Sequence, residues 1–196
     1  MKEESPEAAT KTKWWNYSVR DLVMMAVLSS VSAVAYAGLG QAWAALTAAT
    51  GPVGGAFIGL FQFGHLIAGG IIRRPGSVFL TSVLSTVVQA FLGDPAGFYV
   101  IGWGVTHGIG AELVFLMMGG YKNPTWFKMC LAAGVAAICG HFFSYALYGW
   151  QAALYLFFVS IPILFVSSAL ESGLLSYFVI VALRKSRVIQ EEPSQL

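Results

Sequence analysis

Long apolar segments separated by short polar connections dominate this chain of 196 residues. An α-helix needs roughly 20 residues to cross the hydrocarbon core of a bilayer, and apolar runs of about that length recur along the chain. We predict six membrane spans, at 19–40, 52–72, 77–93, 97–119, 127–148 and 160–183. The third span is too short to cross alone, so we expect it to sit among other helices.

Composition agrees with a membrane protein. Hydrophobic residues make up 57% of the chain and charged residues 10%, whereas a soluble domain carries about 25% charged residues. We therefore predict an integral membrane protein in contact with the lipid bilayer. The net charge of +2 is too small to indicate a nucleic-acid partner.

The basic residues predict the orientation of the spans. All eleven fall in four clusters, which are separated by pairs of spans. Lys and Arg mark the cytoplasmic loops of membrane proteins, so we expect both termini and two loops in the cytoplasm. The predicted fold class is an all-α integral membrane protein, a six-transmembrane-helix bundle with N-in/C-in topology. One membrane domain at 19–185 would lie between cytoplasmic tails at 1–18 and 186–196.

Two outer connections are unusually apolar for exposed loops. The first covers 41–51 and contains Trp43, and the second covers 149–159. Each either lies across the outer face and covers a ligand, which would make Trp43 a ligand contact, or extends a neighbouring helix at the interface, where Trp and Tyr are enriched. The sequence alone leaves both readings open.

Motifs for soluble-enzyme chemistry are absent. The sequence has no GxxxxGK[ST], HExxH or GxSxG pattern, so we expect neither ATP hydrolysis by this chain alone nor another enzymatic activity. Cys130 and Cys139 are nine residues apart on one predicted helix, and we expect no disulfide between them. The three histidines show no spacing typical of zinc ligands, so we predict neither a metal site nor a cofactor.

Polar residues within the spans are the candidates for function. Glu112 lies in span four and Glu171 in span six, with no basic residue at their depth. Ionisable residues in a membrane are costly and usually functional, although a protonated Glu bonded to a neighbouring helix is the structural alternative. Glu171 has serines nearby that would satisfy it locally. Gln89 lies near the outer end of span three, where a substrate arrives.

Aromatic residues accompany two of the histidines. Trp103 lies one helical turn from His107, and Tyr145 lies one turn from His141. Together with Glu112 they would form an anionic, aromatic pocket, which suits a cation or an aromatic heterocycle. On an ideal helix, however, His107 points roughly 140° away from Glu112, so the two need not face one cavity.

Small residues recur at four-residue spacing in span one, at Ser29, Ala33 and Ala37. Such rows let helix backbones approach closely. Internal packing explains this row, and docking of another protein is the alternative.

Three stretches resemble the substrate-binding S components of energy-coupling factor (ECF) vitamin transporters, most closely those of the YkoE type. They are Arg-Arg-Pro-Gly at 73–76, Phe-Leu-Gly-Asp-Pro-Ala-Gly at 91–97 and Gly-Ile-Gly-Ala-Glu-Leu-Val-Phe at 108–115. The resemblance implies an S-component-like fold in a prokaryotic plasma membrane. It implies binding of thiamine or its hydroxymethylpyrimidine precursor from outside, and docking onto a transmembrane coupling (T) subunit driven by two ABC-type ATPases.

The resemblance also bears on single residues. Glu112 matches the acidic position of the span-four motif, and the row at 33–37 matches the AxxxA docking pattern, whereas His107 and Glu171 match no motif. An S component for a different vitamin remains an alternative, because this fold serves chemically different ligands. Two further alternatives are a self-sufficient channel or secondary transporter, which an inverted repeat would favour, and an intramembrane enzyme, which needs a catalytic constellation.

Overall fold

The computed structural model describes residues 17–56, 58–148 and 154–186, and within those ranges every regular element is a helix. The first half of the chain forms α1 (Val19–Thr50), the short α2 (Pro52–Gly55), α3 (Phe63–Ile72) and α4 (Ser77–Phe91). The second half forms α5 (Val100–Met117), α6 (Trp126–Tyr148), α7 (Leu154–Ser168) and α8 (Leu175–Lys185). A 3₁₀ turn precedes α3 (Leu60–Gln62) and another precedes α5 (Gly97–Tyr99), and a π-helical turn (Ala169–Leu174) joins α7 to α8.

Four helical segments are long and apolar enough to cross a membrane: Val19–Thr50, Gly97–Met117, Trp126–Leu147 and Leu154–Lys185. Two shorter apolar segments, Leu60–Ile72 and Ser77–Phe91, complete six. The predicted all-helical membrane fold is confirmed at this level. The N-in/C-in orientation and the division into tails and one domain stay predictions, and residues 1–16 and 187–196 lie outside the described ranges.

Helix α1 is longer than the predicted first span. It begins at a capping box, in which the Ser18 hydroxyl accepts the Asp21 N–H and the Asp21 carboxylate accepts the Ser18 N–H. It continues to Thr50 because 41–50 is rich in alanine, the best helix former. The connection 41–51 therefore continues helix α1 up to Thr50. In the second connection, 154–159 belongs to α7, and 149–153 lie outside the described residues.

The prediction of one continuous helix at 52–72 is wrong. Helix α2 ends at Gly55, the described residues 56, 58 and 59 are not helical, and the next helical turn begins at Leu60, so a break lies in the first half of this span. The segment is rich in glycine, and Gly59 packs so tightly on α7 that a β-carbon there would lie 2.4 Å from the Ser168 nitrogen. Only glycine fits this close approach.

Helix α4 lies among other helices, as predicted from its length. It contacts α1, α3 and α5, and its 15 residues rise only about 22 Å. The buried hydroxyl groups of Thr81, Ser82, Ser85 and Thr86 donate to backbone carbonyls, for example from Ser82 to Gly104 at 2.8 Å. Leu66, Phe115 and Ile180 form part of an apolar core between α3, α5 and α8.

The row of small residues on α1 faces inward. Ser29 and Ala33 are fully buried, Ala37 is partly buried, and the Ser29 hydroxyl donates to the Thr81 carbonyl of α4 at 3.2 Å. The burial of Ser29 and Ala33 favours internal helix packing, and the docking role of Ser29, Ala33 and Ala37 stays a prediction.

The described basic residues gather at one end of the bundle, which we call the basic end: Arg20, Arg73, Arg74, Lys122, Lys128, Arg184 and Lys185. Contacts between distant parts of the chain hold this end together. Arg74 pairs with Asp21 at 3.0 Å, and the Tyr17 hydroxyl donates to the Pro75 carbonyl at 2.5 Å. The start of α1 is thereby tied to the turn between α3 and α4.

Candidate ligand-binding cavity

A cavity of about 470 Å³ lies in the half of the bundle away from the basic end. Its walls come from the second half of α1, the break in span two, the end of α4, the loop 94–96, the start of α5 and the second half of α6. This volume falls in the range of small-molecule sites, about 300–1,000 Å³.

Aromatic side chains form much of the cavity wall: Tyr36, Trp43, Phe61 and Trp103. The Trp103 indole N–H donates to the Ser144 hydroxyl at 2.6 Å, which fixes the ring between α5 and α6. The Tyr36 hydroxyl accepts the Gly64 N–H at 3.0 Å and so joins α1 to α3. Rings held in this way present flat faces for stacking on a planar ligand.

Two histidines line the cavity. The His107 ring packs against Gly140 of α6, where a β-carbon would lie 2.0 Å from Nε2. His141 stacks on the Phe157 ring at 4.7 Å, and its Nε2 lies 3.3 Å from the Phe157 carbonyl. His65 lies outside the lining; it is 1% exposed, and neither ring nitrogen has a hydrogen-bond partner within the described residues.

The break in span two forms another part of the wall, and four side chains from the π-turn region secure its backbone. Ser167 donates to the Ala56 carbonyl at 2.7 Å, and the Glu171 carboxylate accepts the Gly59 N–H at 2.8 Å. Ser172 donates to the Gly59 carbonyl at 2.6 Å and accepts the Gln62 N–H at 3.1 Å. Ser176 donates to the Phe63 carbonyl at 3.1 Å.

These bonds explain how a broken helix persists at membrane depth. Non-helical backbone in that environment is tolerated only where protein groups or a cavity satisfy it. The π-helical turn widens the helix at 169–174, which keeps Ser167, Ser172 and Ser176 on the side that faces the break. Gln62, which is 2% exposed, reaches the cavity from this segment.

Asp94 contributes the charge of the cavity. Its carboxylate accepts the Gln89 amide N–H at 2.6 Å and the Ala96 backbone N–H at 2.8 Å. Of the residues that line the cavity in the described ranges, Asp94 alone is an Asp, Glu, Lys or Arg. The site is therefore aromatic and anionic, with neutral polar groups around the carboxylate.

Five of the residues predicted as ligand contacts line this cavity: Trp43, Gln89, Trp103, His107 and His141. Sequence reasoning missed Tyr36, and it missed Gln62 although Gln62 is a polar residue inside a predicted span, the same signal that selected Gln89. It also missed Asp94 as a site residue, although Asp94 lies inside the 91–97 stretch that carries the family resemblance.

Glu112, Glu171 and Tyr145 are not among the residues that line this cavity, and their expected ligand contacts stay predictions. The Glu112 carboxylate accepts the Gly76 N–H at 2.7 Å and the Phe79 N–H at 3.3 Å, at the start of α4. A helix N-terminus carries partial positive charge, so this helix supplies the compensation that we expected from a ligand. Glu171 secures the break, and Tyr145 packs on the Phe157 ring at 4.6 Å.

Glu112 affects two tyrosines near the basic end. Burial and then the nearby Glu112 carboxylate raise the pKa of Tyr17 to about 12. Burial, followed by the same carboxylate, also raises the pKa of Tyr121, which lies in the connection between α5 and α6. The Glu112 carboxylate thus belongs to a polar cluster near the basic end, five residues along α5 from His107.

In the part of the chain that the structure describes, no group of three or more His, Cys, Asp and Glu side chains is placed to hold a metal ion. Cys130 and Cys139 are free, partly buried thiols on α6. The chemistry of the cavity is therefore that of stacking, hydrogen bonding and one carboxylate.

Comparison with known proteins places the chain among transporters. Residues 20–139 match the family described as "ABC-type cobalt transport system, permease component". The chain is 31% identical over 165 residues to the "Putative HMP/thiamine permease protein YkoE" of Bacillus subtilis (strain 168), covering 82% of this chain and 81% of that protein. A solved structure described as an S-component of an ECF transporter superposes with a TM-score of 0.82 at 30% identity, covering 88% of each chain.

The family match covers more than half of the chain, and the relative and the solved structure cover most of it. An S component works with an energy-coupling module and a ligand, and it is not an enzyme. The resemblance seen in the three sequence stretches is confirmed: this multi-pass membrane protein belongs to the S components of energy-coupling factor transporters.

Proposed function

We propose that this chain binds thiamine or hydroxymethylpyrimidine in the cavity, from outside the cell, and delivers it through a transmembrane coupling subunit driven by two ABC-type ATPases. The observation that carries the proposal is the chemistry of the cavity wall, which combines aromatic faces with one carboxylate. A pyrimidine ring stacks on aromatic faces, and its amino group donates to carboxylate or amide oxygens. The name of the Bacillus subtilis relative supports the same ligands.

A metal cargo has less support. The matching family is named for cobalt, but a transition-metal site needs several converging nitrogen, sulfur or oxygen ligands. No such group lies among the described residues. A heterocyclic ligand uses the groups that line the cavity.

Calorimetry on the purified full chain with thiamine and with hydroxymethylpyrimidine tests the proposal. Trp103→Leu removes an aromatic face and the bond to Ser144, and it should weaken binding about 5- to 150-fold, because stacking losses of this kind cost about 1–3 kcal/mol. Trp126→Leu is the matched control, because Trp126 is 56% exposed at the basic end. Absence of heat with both ligands for the wild type would refute the proposed ligand class.

Docking of the coupling subunit needs an exposed surface. We propose the outward side of α1, where Val23, Val27, Ser30 and Val34 are exposed. This side lies opposite the buried row on the same helix, so a variant there can be separated from effects on folding.

A further inference from the structure

The charge balance of the cavity separates ligands that differ by a phosphate group. Asp94 provides a negative charge to the cavity. His107 and His141 are the other titratable side chains of the described lining, and the remaining lining residues are uncharged. A phosphate monoester carries about −1.5 to −2 charges at pH 7. It would meet a carboxylate with no lysine or arginine to offset either charge.

The sequence excludes a basic partner from elsewhere in the same half of the bundle. No Lys or Arg occurs at 21–72, 75–121 or 129–183. These ranges include 57 and 149–153, which lie outside the described residues. Every basic residue of the membrane domain therefore lies toward the basic end, away from the cavity.

Asp94 is held in place by contacts from three directions. Gln89, which is 2% exposed, donates to Oδ2, and the Ala96 N–H donates to Oδ1. On α1, a β-carbon at Gly40 would lie 2.6 Å from Oδ2, so the glycine makes room for the carboxylate. The carboxylate cannot swing away from an incoming anion without breaking these bonds.

We propose, on the basis of the proposed function, that the cavity selects unphosphorylated ligands and that Asp94 is the specificity-determining residue. Its carboxylate favours a ligand that is cationic or rich in N–H donors, such as thiamine, and disfavours the phosphate ester of the same ligand. A phosphorylated vitamin would first have to be hydrolysed outside the cell, where water cleaves the P–O bond and leaves the alcohol and inorganic phosphate.

The test compares thiamine, thiamine monophosphate and neutral hydroxymethylpyrimidine by calorimetry on the full chain. The wild type should bind thiamine at least about 100-fold more tightly than its monophosphate, because unfavourable charge juxtaposition costs several kcal/mol. Asp94→Asn keeps the size of the side chain, and it keeps both hydrogen bonds when the Gln89 amide turns over so that its oxygen accepts from the new NH2 group. This variant should reduce the ratio of thiamine affinity to thiamine monophosphate affinity at least about tenfold. It should change the affinity for hydroxymethylpyrimidine less than about threefold.

Glu112→Gln is the matched control, since it removes a carboxylate outside the cavity and should leave the ratio unchanged. If Asp94→Asn does not fold, Gly40→Ala, which displaces the same carboxylate, should narrow the ratio instead. Equal wild-type affinity for thiamine and its monophosphate would overturn the selectivity, and an unchanged ratio in the folded variant would overturn the role of Asp94. A wild type that binds neither thiamine nor hydroxymethylpyrimidine would overturn the proposed function itself, and this inference with it.

Discussion

Ser172 is the central support of the break in span two, and its replacement by alanine is the most direct test of how the cavity is built. The hydroxyl is 0% exposed and joins two backbone groups, the Gly59 carbonyl and the Gln62 N–H. Ser172→Ala withdraws both hydrogen bonds and leaves no water access to replace them. At about 1–2 kcal/mol for each bond, the expected loss is about 2–4 kcal/mol of unfolding free energy.

The measurement is the thermal midpoint of the purified protein, followed by circular dichroism. For a chain of this length, about 2–4 °C is lost for each kcal/mol, so the midpoint should fall by about 5–15 °C. Ligand affinity should fall too, since Gln62 lines the cavity.

Ser160→Ala is the matched control for this variant. Ser160 is also 0% exposed and lies on α7, but its hydroxyl donates to the Leu156 carbonyl within the same helix. A carbonyl inside a helix keeps its backbone partner when such a side-chain bond is lost. Equal midpoints for the two variants would refute the idea that Ser172 sustains the break.

Further variants test other parts of the structure. Gly40→Ala should displace the Asp94 carboxylate and weaken thiamine binding at least about tenfold. Gly38→Ala, which adds a methyl group in open space on the same helix, should leave thiamine affinity unchanged. Calorimetry on both variants separates the specific clash from a general effect on α1. Ala33→Leu should overpack a fully buried site and lower the free energy of unfolding by about 1–3 kcal/mol, which the thermal midpoint measures. Ser30→Leu should keep ligand binding but lose ATP-driven uptake in vesicles that contain the coupling module. Normal uptake by Ser30→Leu would exclude that face of α1 as the docking surface. Glu112→Gln should lower the thermal midpoint, because a charged cap at a helix start stabilises a protein by about 0.5–2 kcal/mol. The same variant should leave thiamine affinity unchanged. A large loss of thiamine affinity in a folded variant would support a ligand role for Glu112.

The sequence predicted the outline of the fold because hydropathy and helix length are local properties. Most predicted spans ended near the observed helix ends, although α1 continues past 40 to Thr50 and α7 begins at Leu154 and not at 160. The short span at 77–93 was expected among other helices. The break in span two was missed because its hydrogen bonds come from residues such as Ser172, more than a hundred positions away. A glycine-rich apolar run looks the same whether it is one helix or two.

The candidate site was predicted in part. Trp103, His107 and His141 lie on the cavity because their helical spacing placed them beside aromatic neighbours. The bond from the start of α4 to Glu112 could not be predicted, because a sequence shows charged side chains but not unpaired N–H groups. Asp94 was missed because it lies in a connection between helices. A carboxylate there has a low desolvation cost, so its presence in the sequence does not indicate a functional site.

The bonds between the break and the π-helical turn also set an order of assembly. They join positions separated by 110 to 113 residues. A ribosome makes the break first, so the segment enters the membrane long before Ser167, Glu171, Ser172 and Ser176 exist. A nascent chain that ends before these residues has the wall of its binding cavity unsecured, and the site matures only when the last helix is inserted.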